Sequence, residues 1–250
     1  MHRIADADDL KGVVPAAERF FLLHSAIISP LARGLETKSS RHDSIRTMSE
    51  RNEAQLRVIR KAVAVTQAAD IPVWLFGGWG LDARIGRITR EHGDVEFWVE
   101  RIHAERSKAL LAGAGATVLA TQPPAEACEF TWDDVLFSTA YFDRQPDGSF
   151  SQPLGRFSDW LFPPGSFGDE PVMLAGKPVL AMSASGMLAM KEQFPNLRNG
   201  RPWRKKDVVD IELLRGLAAE PALLARIGEG MVLVRHDPPV TRLAQPDRQP

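Results

Sequence analysis

Apolar residues recur along this chain with two different periods, and the switches between them mark its elements. Over residues 49–69, Leu56, Ile59, Val63 and Val65 stand among Arg and Glu at helical spacing, which predicts an amphipathic helix with Ser49 as its N-cap. Residues 73–76 are an unbroken apolar run stopped by Gly77-Gly78, the pattern of a buried strand ending in a tight turn. Trp79, Leu81, Ile85 and Ile88, with Asp82, Arg84 and Arg87 between them, predict a short helix over 79–85. The period then falls to two: Asp94-Val95-Glu96-Phe97-Trp98-Val99 alternates like a half-buried strand. Further on, the pattern predicts a helix over 102–114, a short strand over 117–120, and a strand over 135–142 that turns at Pro146-Asp147-Gly148. A hairpin turn follows at Gly176, then helices over 183–194 (stopped by Pro195) and 205–217, and the start of a third at 221. Residues 16–28 read as helical, ending before Pro30, and residues 34–43 as polar linker.

Composition narrows the class without naming the chemistry. The 250 residues are 44% apolar and 25% charged, which is ordinary for a globular chain, and the net charge of −1 exerts no global pull on nucleic acid or anionic membrane. A polyanionic ligand would have to be held by local charge, which the loop Arg87, Thr89, Arg90 and His92 supplies. Cys128 is the only cysteine, so no internal disulfide forms and a reducing compartment is the simpler reading. No apolar run approaches the roughly 18 residues of a membrane span. The apolar stretch at 20–31 is broken by His24 and Pro30, and acids precede it, the wrong sign for a secretory leader. A cytoplasmic protein is expected.

The chemistry concentrates between residues 73 and 99. Asp94 and Glu96, two apart on a strand, project to one face about 7 Å apart along it, while Val95 and Phe97 turn to the core. Two carboxylates on one face repel unless a cation joins them, and oxygen-only donors suit Mg²⁺. Gly77-Gly78, between a strand and a helix, can bring backbone N–H groups close to a phosphate, aided by the helix N-terminus. A phosphate cradle followed by a metal-binding acid pair meets the needs of triphosphate chemistry. Taken singly, Asp94 and Glu96 read as a solvated strand face, Trp79 and Trp98 as core, and Asp82 as a helix cap or the partner of a nearby arginine.

The ordered set Gly77, Gly78, Trp79, Asp82, Gly86, Arg87, Arg90, His92, Asp94 and Glu96 resembles the nucleotidyltransferase superfamily with the polymerase-beta-like fold. Within it the set is most similar to the aminoglycoside 2''-nucleotidyltransferases and lincosamide nucleotidyltransferases, with Glu96 where they carry Asp. The resemblance implies an α/β fold: a mixed sheet flanked by helices, with an N-terminal helical extension and a small helical C-terminal part. The corresponding division is 1–45 extension, 46–182 catalytic domain, 183–238 helical part and 239–250 disordered tail. It further implies Mg²⁺ on Asp94 and Glu96, and phosphate held by Gly77, Gly78 and the Trp79 amide, with Arg87, Thr89, Arg90 and Lys206 adding donors. His92 either orients Asp94 or touches phosphate.

One departure stands out. Family members carry a third carboxylate on the following strand, and alignment puts Leu136 in its place. Asp134, two residues earlier, is the nearest substitute if the strand extends that far; Asp133, Glu129 and Asp143 are poorer ones. The resemblance implies transfer of a nucleoside monophosphate, AMP from ATP, to a hydroxyl of an aminoglycoside- or lincosamide-like acceptor. A polycationic acceptor would want acidic linings such as Asp133-Asp134 or Asp169-Glu170. Two alternatives stand beside it: transfer to tRNA or protein, for which Arg198, Arg201, Arg204, Lys205, Lys206 and Trp203 offer a basic patch, and nucleotide binding without catalysis, which Leu136 favours.

Overall fold

The computed structural model describes residues 3–4, 41–119, 127–154, 158–197, 202–218 and 232–235. The expected helices at 16–28 and from 221, the Pro123-Pro124 loop and the tail lie outside the described residues. The chain runs β1 (Arg3–Ile4), α1 (Arg41–Gln67), β2 (Val73–Phe76), α2 (Gly77–Ile85), β3 (Val95–Glu100), α3 (Ala104–Gly113), β4 (Thr117–Leu119), β5 (Ala127–Trp132) and β6 (Val135–Arg144). It continues through β7 (Phe150–Leu154), β8 (Ser158–Phe162), β9 (Val172–Leu174), β10 (Lys177–Ala181), α4 (Ala184–Leu197), α5 (Lys205–Ala218) and β11 (Val232–Arg235). The strands join in one mixed sheet ordered β1-β11-β8-β7-β6-β3-β2-β10-β9, with β5 on β6 and β4 on β5. This is the mixed α/β sheet that the sequence implied.

Period-two patterning buries both faces of the central strands. On one face, Leu56, Ile59 and Ala62 of α1 pack over Val73, Leu75, Val95, Phe97, Val99, Phe137 and Tyr141. On the other, Trp74, Phe76, Trp98 and Phe142 meet Met187, Leu188 and Met190 of α4 and Ile211 and Leu214 of α5. Here the packing is aromatic: Phe142 and Phe167 stack at 4.0 Å, and Trp74 meets Phe142 edge-on at 5.5 Å. Trp98, whose indole is fully buried, therefore shares a face with Glu96. That face holds the acids at one end of β3 and an aromatic core at the other.

Three local expectations are corrected. Ser49 does not cap α1, because the helix begins at Arg41 and no Gly or Pro interrupts the stretch before it. The short helix begins at Gly77 rather than Trp79, so the glycine turn is the first turn of α2 itself, entered at φ +63. Pro195 does not stop α4, which runs on to Leu197. Proline lacks the N–H that would bond the Lys191 carbonyl, and the Trp203 indole N–H donates there instead at 2.9 Å, satisfying the freed acceptor. Short strands also lie near the two ends, where β1 pairs antiparallel with β11 and β11 with β8. The Ala175-Gly176 hairpin connects β9 to β10 with positive φ at both residues, as the glycine signalled.

A glycine turn, an acid pair and a buried charge network

The site forms where β2 ends and β3 begins. Antiparallel pairing sets Phe76 opposite Glu96, so the turn that follows Phe76 is brought against the acids. The contact is close: a Cβ on Gly77 would lie 1.7 Å from Glu96 Oε2, and one on Gly78 would lie 2.1 Å from His92 Nδ1. Both glycines are therefore required for space, and Gly77 for its backbone angle as well. Asp94, one residue before β3, and Glu96 are half-buried, whereas Val95 and Phe97 are in the core. The acids stand on one side of the strand, beside the first turn of α2, whose opening N–H groups have no partner within the helix.

Lys206 and Arg204, at the start of α5, face this pair. Lys206 is solvent-exposed as a residue, yet the protein around its ammonium lowers its pKa by stripping hydration; the Arg204 charge lowers it further, and Asp94 and Glu96 oppose the shift. Burial works against the Arg204 guanidinium, but its hydrogen bond and charge pairing with Asp207 outweigh that, and Glu96 and Asp94 add to the rise. Lys206 and Arg204 thus lie close enough to Asp94 and Glu96 to feel their charge.

The other motif residues turn inward. Arg90 Nη1 donates to His92 Nδ1 at 2.8 Å, and His92 Nε2–H donates to Asp82 Oδ2 at 2.6 Å. Arginine has no acceptor, so this geometry assigns the imidazole its proton on Nε2. Thr89 Oγ1 donates to the second oxygen of Asp82, and Arg90 Nη2 donates to Asp210 Oδ2 at 2.9 Å. Lys191 pairs with Asp210 at 2.8 Å and approaches Asp207 at 3.8 Å. Asp207 in turn accepts from Arg204 Nε at 2.7 Å and from the Arg204 backbone N–H at 3.0 Å, half of a capping box that starts α5. Burial pushes the Asp207 and Asp210 carboxyls up, but Arg204 and Lys191 for the first, and Lys191 and Arg90 for the second, hold both below the usual range.

Gln55 of α1 closes the network: its Nε2 donates to the His92 carbonyl, and its Oε1 accepts from Trp79 Nε1. Trp79 is buried and its ring lies 4.8 Å from that of His92, so its side chain is structural. Thr89, Arg90 and His92, read from sequence as phosphate donors or orienters, are joined to Asp82 and Asp210. Arg87 is exposed in the loop just beyond α2. The Lys206-Asp207-x-x-Asp210 spacing signalled one part of this network. Lys191 and Gln55 carried no sequence signal, because their partners lie on other elements.

The proposed substitute acid is placed differently. Strand β6 begins at Val135, so Asp134 is not on the strand; with Asp133 it forms the β5–β6 turn, φ +49 and +61, and both are exposed. Asp133 pairs with Lys61 of α1 at 2.6 Å, on the far side of the sheet from Glu96. Parallel pairing of β3 with β6 sets Ser138 beside Glu96, and antiparallel pairing of β5 with β6 sets Glu129 beside Ser138. Asp169 lines a cavity of about 500 Å³ with Ile71, Pro72 and Val73, at the start of β2 rather than at its end where the acids stand. Among the described residues, no group of three or more His, Cys, Asp or Glu is gathered to hold a metal ion, and no helix is long and apolar enough to cross a membrane.

Residues 58–214 match the family model of aminoglycoside-2''-adenylyltransferase. A 2''-aminoglycoside nucleotidyltransferase from Escherichia coli is 43% identical over 43 residues, 17% of this chain and 24% of that protein. One from Klebsiella pneumoniae matches to the same extent, so the chain spans about a quarter of the length of these curated relatives. Among solved structures, ANT(2'')-Ia in complex with adenylyl-2''-tobramycin superposes with a TM-score of 0.58 at 19% identity, over 70% of this chain and 95% of that one. Lincomycin-bound lincosamide adenylyltransferase LnuA gives 0.52 at 20%, over 66% and 97%. At such identities the likeness shows the shared fold.

Proposed function

Because the chain belongs to the aminoglycoside-2''-adenylyltransferase family, we propose that it transfers a nucleoside monophosphate, AMP from ATP, to a hydroxyl of an aminoglycoside- or lincosamide-like molecule. The observation that carries this reading is the contact of Gly77 with Glu96, which puts bare backbone amides beside one carboxylate of the Asp94/Glu96 pair. The first-turn N–H groups of Gly77, Gly78 and Trp79 bind phosphate oxygens, and Lys206 and Arg204 balance charge at the mouth of the site.

The donor set fits Mg²⁺: Asp94 and Glu96 offer oxygen alone, and this ion characteristically takes one or two carboxylates with substrate phosphates completing its shell. When bound there, it supplies charge neutralisation to the triphosphate. Asp94 and Glu96 would hold it. The network from Asp82 to Asp207 keeps the turn and α5 in place while the acceptor hydroxyl is positioned. The proposal places no demand on a basic nucleic-acid face, and two members of the basic patch already have other work: Arg204 binds Asp207, and the Trp203 indole binds the Lys191 carbonyl.

The test is mass spectrometry of reactions holding ATP, Mg²⁺ and either tobramycin or lincomycin, scored for a drug carrying one added AMP. Asp94→Ala should reduce the adduct by on the order of a hundredfold, because a metal's charge stabilisation, worth several kcal/mol, is weakened when a carboxylate that holds it is removed. Wild-type turnover in that variant would refute the metal assignment. A label on added tRNA or protein instead of the drug would move the acceptor class, and nucleotide binding with no product would mark a catalytically impaired member.

A further inference from the structure

Between the end of α2 and Val95 the chain forms neither helix nor strand, so the carbonyls that lead to Asp94 need partners outside any ladder. Each of the last three is met by a side chain. The Glu91 carbonyl accepts from Arg90 Nη1 at 3.3 Å, the His92 carbonyl from Gln55 Nε2 at 3.1 Å, and the Gly93 carbonyl from Arg51 Nη2 at 3.1 Å. Arg51 Nη1 also pairs with the Glu91 carboxylate at 2.8 Å. Two of the three donors therefore come from α1, four residues apart and on one side of that helix.

Gln55 does more than hold the loop. It is 2% exposed, and its Oε1 accepts from the Trp79 indole N–H at 2.9 Å. Trp79 belongs to the first turn of α2, so one side-chain amide spans from the glycine turn to the residue two before Asp94. The helix that carries it is seated on the sheet by Leu56, Ile59 and Ala62. A Cβ on Gly93 would meet nothing within 4 Å, so packing around that residue does not fix the loop. A carboxylate that holds a metal must stand within about 0.5 Å of its productive place. Arg51 and Gln55 lie upstream of residue 58, where the match to the family begins.

We propose that Arg51 and Gln55 are positioning residues for the metal-holding acid. Through the Gly93 and His92 carbonyls they set where Asp94 stands, and through Trp79 Gln55 ties that position to the amides of the glycine turn. Helix α1 is thereby part of the site and not only cover for the sheet. This rests on the metal and transferase reading above.

The experiment compares wild type, Gln55→Met, Arg51→Met, Asp94→Ala and the Gln55→Met/Asp94→Ala double variant. Mn²⁺ binding without nucleotide is followed by loss of the free-ion EPR signal, beside thermal melts and adduct formation with ATP, Mg²⁺ and tobramycin or lincomycin. Gln55→Met should raise the Mn²⁺ dissociation constant and lower the adduct by about tenfold each, the scale of losing a group that orients a metal ligand. Arg51→Met, at an exposed position, should raise the dissociation constant about threefold, and it decides the matter if Gln55→Met does not fold. In the Asp94→Ala background, Gln55→Met should cost the residual adduct no more than about twofold, because residues that act through one another are not additive. A purely structural role would lower the melting temperature and leave the Mn²⁺ affinity of the folded protein unchanged. Wild-type Mn²⁺ affinity in the folded variants, or the full loss of adduct repeated in the Asp94→Ala background, overturns this inference and leaves the transferase reading standing. Failure of wild type to bind Mn²⁺ overturns the metal assignment and this inference together. Absence of adduct from wild type with both drugs, with the expected Mn²⁺ pattern intact, overturns the transferase reading alone.

Discussion

Gly77 shows how one residue can be fixed twice over. Its φ of +63 is a conformation that side chains other than glycine adopt at a cost of about 1–3 kcal/mol, and a methyl there would strike Glu96 Oε2. Gly77→Ala is therefore expected to lower stability by about 1–3 kcal/mol in urea melts and to remove adduct formation by displacing Glu96. Full activity in that variant would show that the turn and the acid need not touch. The identities of Gly77, Gly78, Asp94 and Glu96 were legible because strand alternation and a glycine pair are local signals. The side-chain partners of Thr89, Arg90 and His92 were not, because a polar residue in a loop reads the same whether its partner is a phosphate or a buried aspartate. Leu136 drew attention in sequence, and the register sets Ser138, two residues further along the same face, level with Glu96.

At the scale of elements, α4 and α5 are fastened to the motif loop by charge as well as by packing. Asp210 joins Arg90 of the loop and Lys191 of α4, and is itself 1% exposed. Removing one member of a buried pair leaves the others desolvated without compensation, a cost of about 3–5 kcal/mol. Asp210→Ala should fall near the lower end, about 3 kcal/mol, because Arg90 keeps contact with water. Thermal melts should shift down by roughly 6–12 °C for a chain of this size. A shift of a degree or two would mean that the network contributes little. Helix existence was well signalled by apolar periodicity, while helix ends were not. Ser49 looked like a cap and Pro195 like a stop, but α1 continues upstream of Ser49, and Trp203, distant in sequence, satisfies the carbonyl that Pro195 frees.

Over the whole molecule, the buried carboxylates set an acid limit. Asp207 and Asp210 titrate below their ordinary range in the folded protein. Their contribution is thus fully present above the unfolded-state value of about 4 and is lost as pH falls through their lower folded-state values. Wild type should lose stability steadily below about pH 4 in urea melts. Asp210→Asn, weaker at pH 7, should lose less over the same interval, and an equal loss would detach Asp210 from the effect. The sequence alone determined the alternation of strand and helix and the glycine turn with its acid pair, because each depends on residues near one another along the chain, while the mixed α/β class came from the family resemblance of the motif. Only the tertiary structure decided that β6 sets Ser138 and not an acid beside Glu96, that Glu129 shares that row, and that α4 and α5 are held to the motif loop by Lys191, Asp207 and Asp210. Those arrangements depend on strand register and on partners far apart in sequence, and register is settled only when a whole face is buried at once.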